Sequence, residues 1–157
     1  GLTLAVVGVC TAIVQAGLIR RIVAKLGERR ALLTGLAFGT ISYAIWGVAT
    51  TGWLGLIAIP FGAMMGLYGP SAQGIMTRHV SPSEQGQLQG ANASIMGITG
   101  LIGPALFTQT FATFIDPKGF HLVGAPFYLG AMLIGIAFVV AWNVTKRERD
   151  LASAITA

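Results

Sequence analysis

Along this chain the charged positions retreat to a few edges and leave long apolar runs between them. No Asp, Glu, Lys or Arg occurs from Ala31 to Thr77, from Gln85 to Ile115, or from Gly119 to Thr145. A helix that crosses the hydrocarbon of a bilayer needs about 20 predominantly apolar residues. Each uncharged stretch is long enough for one crossing, and the first is long enough for two. With the run that opens the chain, the pattern predicts five spans, at about residues 2–19, 31–49, 54–77, 87–114 and 123–144. The links are short: a basic loop from Arg20 to Arg30, a tight turn from Thr50 to Trp53, and a polar loop from Arg78 to Gly86. A last loop, Ile115 to Leu122, holds Asp116, Pro117 and Gly119.

Composition agrees with this reading. Hydrophobic residues make up 54% of the chain and charged residues 10%, against about 25% charged in an ordinary soluble domain. Too few charged side chains remain to cover a water-soluble surface. The expected fold is all-α, a polytopic membrane helical bundle. Residues 1–150 form its transmembrane domain and 151–157 a short tail. The chain opens at Gly1 with neither an initiator Met nor a basic stretch before the apolar run, so a piece of something longer is expected rather than a secretory signal. Cys10 has no second cysteine with which to form a disulfide or a metal cluster.

Charge sets the orientation. Arg20, Arg21, Lys25, Arg29, Arg30, Arg78, Lys146, Arg147 and Arg149 fall on one side of the predicted spans, and Lys118 alone on the other. Nine against one places the first and third loops and the C-terminus in the cytoplasm. Trp53 and Trp142 stand where interfacial anchors are expected. The same placement accounts for the net charge of +5 without any nucleic-acid partner. Ser81-Pro82-Ser83-Glu84 carries the capping-box pattern, with Ser81 as N-cap and Pro82 at the first helical position of the fourth helix.

Catalysis finds little support. There is no paired-carboxylate arrangement, no His/Cys ligand spacing and no nucleophile elbow or phosphate loop, so neither a metal nor a cofactor is expected. His79 and His121 fall in loops on opposite sides of the membrane. The groups at membrane depth are neutral: Thr11 and Gln15, Thr40, Ser42 and Tyr43, Tyr68 and Gln73, then Asn92, Ser94, Thr99, Thr108 and Gln109. An amide is costly to expose to lipid. Gln15, Gln73 and Asn92 are therefore the candidates for a cavity lining, with plain interhelical hydrogen bonding as the competing reading. Glycine supplies a second signal. Gly62-x-x-x-Gly66 before Gly69-Pro70, and Gly97-x-x-Gly100-x-x-Gly103-Pro104, put small residues at helical spacing beside prolines that permit a bend.

Particular stretches also resemble a known family. Arg20-Arg21-Ile22-Val23-Ala24-Lys25-Leu26-Gly27-Glu28-Arg29-Arg30 is similar to the Gly-x-Leu-Ala-Asp-Arg-x-Gly-Arg-Arg loop between helices 8 and 9 of major facilitator transporters. Gly27 and Arg29 match; Arg20 and Ala24 depart. Glu84-Gln85-Gly86-Gln87-Leu88-Gln89-Gly90, followed by Gly103-Pro104-Ala105-Leu106-Phe107-Thr108, resembles helix 11 and the loop before it in the tetracycline-resistance branch of drug:proton antiporters. Gln15-Ala16 and Thr51-Gly52-Trp53-Leu54 agree with the same branch. The resemblance runs from about Leu2 to Arg149 and makes the five spans helices 8–12 of a twelve-helix transporter in the bacterial inner membrane. It implies that helices 8, 10 and 11 face a central cavity while 9 and 12 face lipid. Gln15, Gln73, Asn92 and Tyr68 then lie near the substrate path. Gly100, Gly103 and Pro104, with Gly69 and Pro70, form a conformational motif. Arg20, Arg21, Gly27, Arg29, Arg30 and Glu84 become candidates for a cytoplasmic latch working through carboxylates at neighbouring helix ends. The implied partners are the lipid bilayer, the N-terminal half of the same transporter, protons and a small amphipathic substrate. An intramembrane His found in many tetracycline exporters, and an acidic residue found in some, are replaced here by Thr11 and Gly39. A membrane scaffold that packs helices without transporting is the alternative function.

Overall fold

The computed structural model describes residues 2–115 and 122–155; within these, the side chains of 2–4, 6, 10, 16, 20 and 148–155 fall outside the description. The expectations for Asp116, Pro117, Lys118, Gly119 and His121, and those for the side chains of Arg20 and Arg149, therefore lie outside the described residues. What is described is helical throughout: α1 (Leu2–Ile13), a π-helical turn (Val14–Leu18), α2 (Ile19–Leu26), α3 (Glu28–Val48), α4 (Gly52–Met65), α5 (Tyr68–Arg78), α6 (Gln85–Phe114) and α7 (Ala125–Ile155). These make five rods of an all-α membrane bundle. The spans Glu28–Val48, Gly52–Arg78, Gln85–Phe114 and Ala125–Arg147 are each long and apolar enough to cross a bilayer.

The first rod differs from the expected span and loop. Helix continues through Arg20 to Leu26, because nothing in Ile19–Leu26 breaks it and Arg21 and Lys25, four residues apart, share one solvated face. Gly27 ends it at φ 78, a left-handed conformation that a residue with a Cβ adopts only with strain. The Gly27 amide still donates to Val23 O at 2.9 Å, and its carbonyl already accepts from Ala31 at 3.0 Å. An eleven-residue loop thus shrinks to a single glycine. Within the same rod, Val14–Leu18 widens into a π turn around Gln15.

The third rod is broken in its middle. Pro70 has no amide hydrogen, so the carbonyl of Gly66 four residues earlier loses its helical partner. The chain tightens there: the amides of Gly66 and Leu67 donate to Ala63 O and Met64 O, at 3.0 and 3.1 Å. α5 then restarts at Tyr68. Pro104, by contrast, sits inside an uninterrupted α6.

α3 is the hub. Its buried face, Ala31, Leu32, Leu33, Gly35, Leu36, Gly39 and Ser42, packs against α4, α5 and α7. Glycines permit this closeness: a Cβ on Gly35 would lie 2.8 Å from the Tyr68 amide nitrogen, and one on Gly124 would run into the Gly47 carbonyl. Inside the interface, Ser42 Oγ donates to Ala58 O at 2.9 Å. Trp46 and Phe127 stack with centroids 5.9 Å apart. The helix expected at the lipid-facing rim is thus the one most enclosed by its neighbours. α6 is the reverse case, with no buried residue along its 30-residue length. Every described charged side chain (Arg21, Lys25, Glu28, Arg29, Arg30, Arg78, Glu84, Lys146 and Arg147) collects at one end of the bundle, the end where α2, α5 and α7 finish and α3 and α6 begin.

Candidate functional site

Two of the four cavity candidates are brought together. Asn92, eight residues into α6, donates through Nδ2 to Gln73 Oε1 on α5 at 3.2 Å, and both are half-buried. This is the side-chain hydrogen bond that joins α5 to α6 among the described residues. Helical spacing extends the two faces that meet there. On α5, Gly69 and Pro70 lie one turn before Gln73 on its side of the helix; on α6, Thr99 and Gly103 fall within about 20° of Asn92 at 100° per residue. Beyond the amide pair the helices part. A Cβ on Gly69, Gly97, Gly100 or Gly103 would meet nothing within 4 Å. The conformational-motif residues therefore border open space, with the amide pair closing its charged end. Thr99 spends its hydroxyl on its own helix, donating to Ile95 O at 2.9 Å.

The other two candidates lie apart. Tyr68 opens α5, is 44% exposed, and at five residues from Gln73 points to a different side of the helix. Gln15 is exposed on the π turn of the first rod, with no hydrogen bond to the amide pair. A separate cavity of about 210 Å³ lies between α1, α3 and α4, with Thr11 and Ser42 as its polar lining and Trp46, Ile59 and Gly62 among its walls.

The charged end is organised differently from the expected latch. The ion pair joining helix ends is Glu28 with Arg78, at 2.9 Å. The Glu28 carboxylate lies against Gly74, where a Cβ would come 2.5 Å from Oε1, so the start of α3 is bolted to the end of α5. Glu28 was not among the residues singled out in the sequence, since its neighbours in the motif are basic and its partner is 50 residues away. Arg29 meets no carboxylate among the described residues. Its Nε donates to Thr145 Oγ1 on α7 at 2.9 Å, and its guanidinium carbon stands 5.4 Å from the Trp142 ring centroid. Arg21 and Arg30 are exposed and form no ion pair among the described residues. Gly27 is the single-residue turn between α2 and α3.

Glu84 is a local cap rather than a partner for an arginine. Its Oε2 accepts from the Ser81 amide at 3.0 Å and from Ser81 Oγ at 2.7 Å. The helix starts later than expected: α6 begins at Gln85 with Glu84, not Ser81, at its N-cap position. Pro82 lies in the turn before it, which the Glu84 amide closes by donating to Ser81 O at 2.9 Å; the serine hydroxyl turns to the carboxylate instead of to the backbone. The hydroxyl and amide of Ser81 together hold the Glu84 carboxyl below its ordinary value of 4.5.

Comparison with known proteins fits this architecture. The model of the Major Facilitator Superfamily matches residues 1–156. The chain is 33% identical over 131 residues to the class C tetracycline resistance protein of Escherichia coli, covering 82% of this chain and 33% of that protein. It is 35% identical to the class G tetracycline resistance protein of Vibrio anguillarum, again over 82% of this chain and 33% of the relative. Hippocampus abundant transcript-like protein 1 of Mus musculus is 27% identical over 93% of this chain and 32% of its own length. The chain spans about a third of the length of the curated relatives it matches. None of the solved structures matches it. With the match running from end to end over a bundle of apolar helices, the chain belongs to the Major Facilitator Superfamily, a family of transporters and not of enzymes.

Proposed function

We propose that this chain supplies helices 8–12 of a proton-coupled antiporter that exports a small amphipathic compound of the tetracycline kind across the bacterial inner membrane. On this reading the charged end and the C-terminus are cytoplasmic, and an N-terminal half completes the transporter. The observation that carries the proposal is the meeting of Gln73 and Asn92 at 3.2 Å at the head of an open α5–α6 face. Two neutral amides there offer donors and acceptors to an uncharged or zwitterionic ligand without the desolvation cost of a buried charge. The similarity to tetracycline resistance proteins supports the substrate class. The stretches 2–19, 31–77, 85–115 and 119–145, which hold the membrane-depth residues, contain no Asp, Glu, Lys or Arg, so the proton-carrying group belongs to the other half. Transport then proceeds by rocking of two halves about a midplane site.

The test is flux. Everted membrane vesicles carrying the complete transporter take up tetracycline when an acid-inside gradient is imposed, and lose the uptake when the gradient is collapsed. Replacing Asn92 by Ala raises the half-saturating concentration. Vesicles that move no member of a broad panel of amphipathic drugs under any proton gradient overturn the proposal in favour of a packing scaffold.

A further inference from the structure

Arg29 is fixed in place with most of its donors unused. A guanidinium has five N–H donors in a rigid fork. One is taken by Thr145 Oγ1, and one face of the plane is laid toward Trp142. The two terminal nitrogens have no partner among the described residues, although the residue is half-buried. Both described carboxylates are engaged elsewhere, Glu28 with Arg78 and Glu84 with Ser81. An immobilised arginine fork with no carboxylate partner among the described residues is suited to bidentate capture of a phosphate.

The surroundings identify where that phosphate comes from. Trp142 is 47% exposed and packs on Phe138 with centroids 6.1 Å apart, an apolar shelf on the outside of α7. Tryptophan in this position marks the boundary between hydrocarbon and headgroups. Lys146 follows Trp142 by one turn on the same stripe of α7, and Arg30 adjoins Arg29 on α3. Both are exposed and without an ion pair among the described residues. Across residues 20–30 and 146–150 the sequence sets eight Lys and Arg against Glu28, Glu148 and Asp150. A free anion has no use for the aromatic shelf, whereas a phospholipid does, since its first methylenes lie below its phosphate.

We propose that the corner where α3 begins and α7 leaves the membrane binds an anionic phospholipid. Arg29 grips the phosphate, Lys146 and Arg30 add to the field, and Trp142 with Phe138 seats the upper acyl chain. The site rests on the membrane reading of the bundle and does not depend on what is transported.

Native mass spectrometry of the protein in mild detergent tests this, with phosphatidylglycerol or phosphatidylcholine of identical chains titrated in. The wild type retains phosphatidylglycerol in preference. R29Q/K146Q weakens that retention about thirtyfold, on the scale expected for two surface cations. Because R29Q also unpins α7, R30Q/K146Q is measured beside it; both side chains are exposed, and retention falls several-fold with the fold intact. R21Q/K25Q, on α2, keeps the preference. Equal retention of the two lipids overturns the proposal, as does an equal loss in R21Q/K25Q, which reduces the effect to diffuse charge. Displacement of the lipid by millimolar inorganic phosphate overturns the assignment to a lipid headgroup.

Discussion

Replacing Gly35 by Ala tests whether α3 is the hub of this bundle. The added Cβ lies 2.8 Å from the Tyr68 amide nitrogen, 3.2 Å from Leu67 Cβ and 3.3 Å from the Leu67 carbonyl carbon, where ordinary contact begins at 3.4 Å. The atoms it meets are backbone and the root of a fully buried side chain, so no flexible tip can swing away. The α4–α5 junction must separate from α3 by several tenths of an ångström. Overpacking of this kind costs about 1–3 kcal/mol, offset by the roughly 0.5–1 kcal/mol that Ala gains over Gly in a helix. G35A is therefore less stable by up to about 2.5 kcal/mol, the difference of those two ranges being about 0–2.5 kcal/mol. Gly69 is the control, two residues into the same α5 with nothing within 4 Å of its would-be Cβ. G69A gains about 0.5–1 kcal/mol because only the helix term applies. Reversible unfolding in mixed micelles, followed by circular dichroism, reads both. If G35A proves as stable as G69A, the close α3–α5 approach does not exist in the membrane.

Three further expectations follow from particular contacts. A double-mutant cycle on Gln73 and Asn92 gives a coupling of about 0.6 kcal/mol, the average for interhelical side-chain hydrogen bonds in a bilayer; a cycle that closes at zero removes the pair. R78Q leaves Glu28, whose side chain is 19% exposed, without its partner and destabilises the charged end by no more than about 1 kcal/mol. That loss shrinks as salt is raised and is read by hydrogen exchange at the start of α3; a salt-independent loss points to packing instead. Since folding lowers the Glu84 carboxyl below 4.5, its cap is fully present above that pH and is lost as pH falls through the depressed folded value. Exchange at the first turn of α6 therefore quickens on acidification below 4.5, and S81A moves the onset upward; an unchanged onset in S81A refutes the cap.

The rods were legible because they follow from counting apolar residues between charges, and so was the membrane. The α2 segment was not, because a basic stretch reads equally as loop or as the solvated end of a helix, and only the conformation of Gly27 decides where the turn falls. The break at Gly66 follows from Pro70 by four-residue arithmetic, yet Pro104 obeys the same arithmetic in an unbroken α6. Sequence alone therefore could not choose between bend and break. Amide chemistry singled out Gln73 and Asn92, though not that each would be the other's hydrogen-bond partner. Glu28–Arg78 and Arg29–Thr145 join residues 50 and 116 positions apart, and no local pattern encodes such pairings.

The glycines divide the bundle by how their hydrogens are used. At Gly35 and Gly124 an added Cβ would collide with the backbone of Tyr68 and Gly47, and at Gly39, Gly47 and Gly130 with the side chains of Met65, Tyr128 and Tyr43, so α3 is tightly interlocked with α4, α5 and α7. Sliding any of them requires many close contacts to break together, and they are expected to move as one body. At Gly97, Gly100 and Gly103 the same Cβ meets open space, and the α5–α6 contact centres on one amide pair near the charged end. α6 touches the hub mainly through the Gln73–Asn92 contact and a limited packing against α7, so it is the rod with the fewest contacts to break in a swing. Whatever fills the face of those three glycines controls that swing. Bulk added there, as in G100L, is expected to arrest transport while leaving the α3 contacts, and the stability they confer, unchanged.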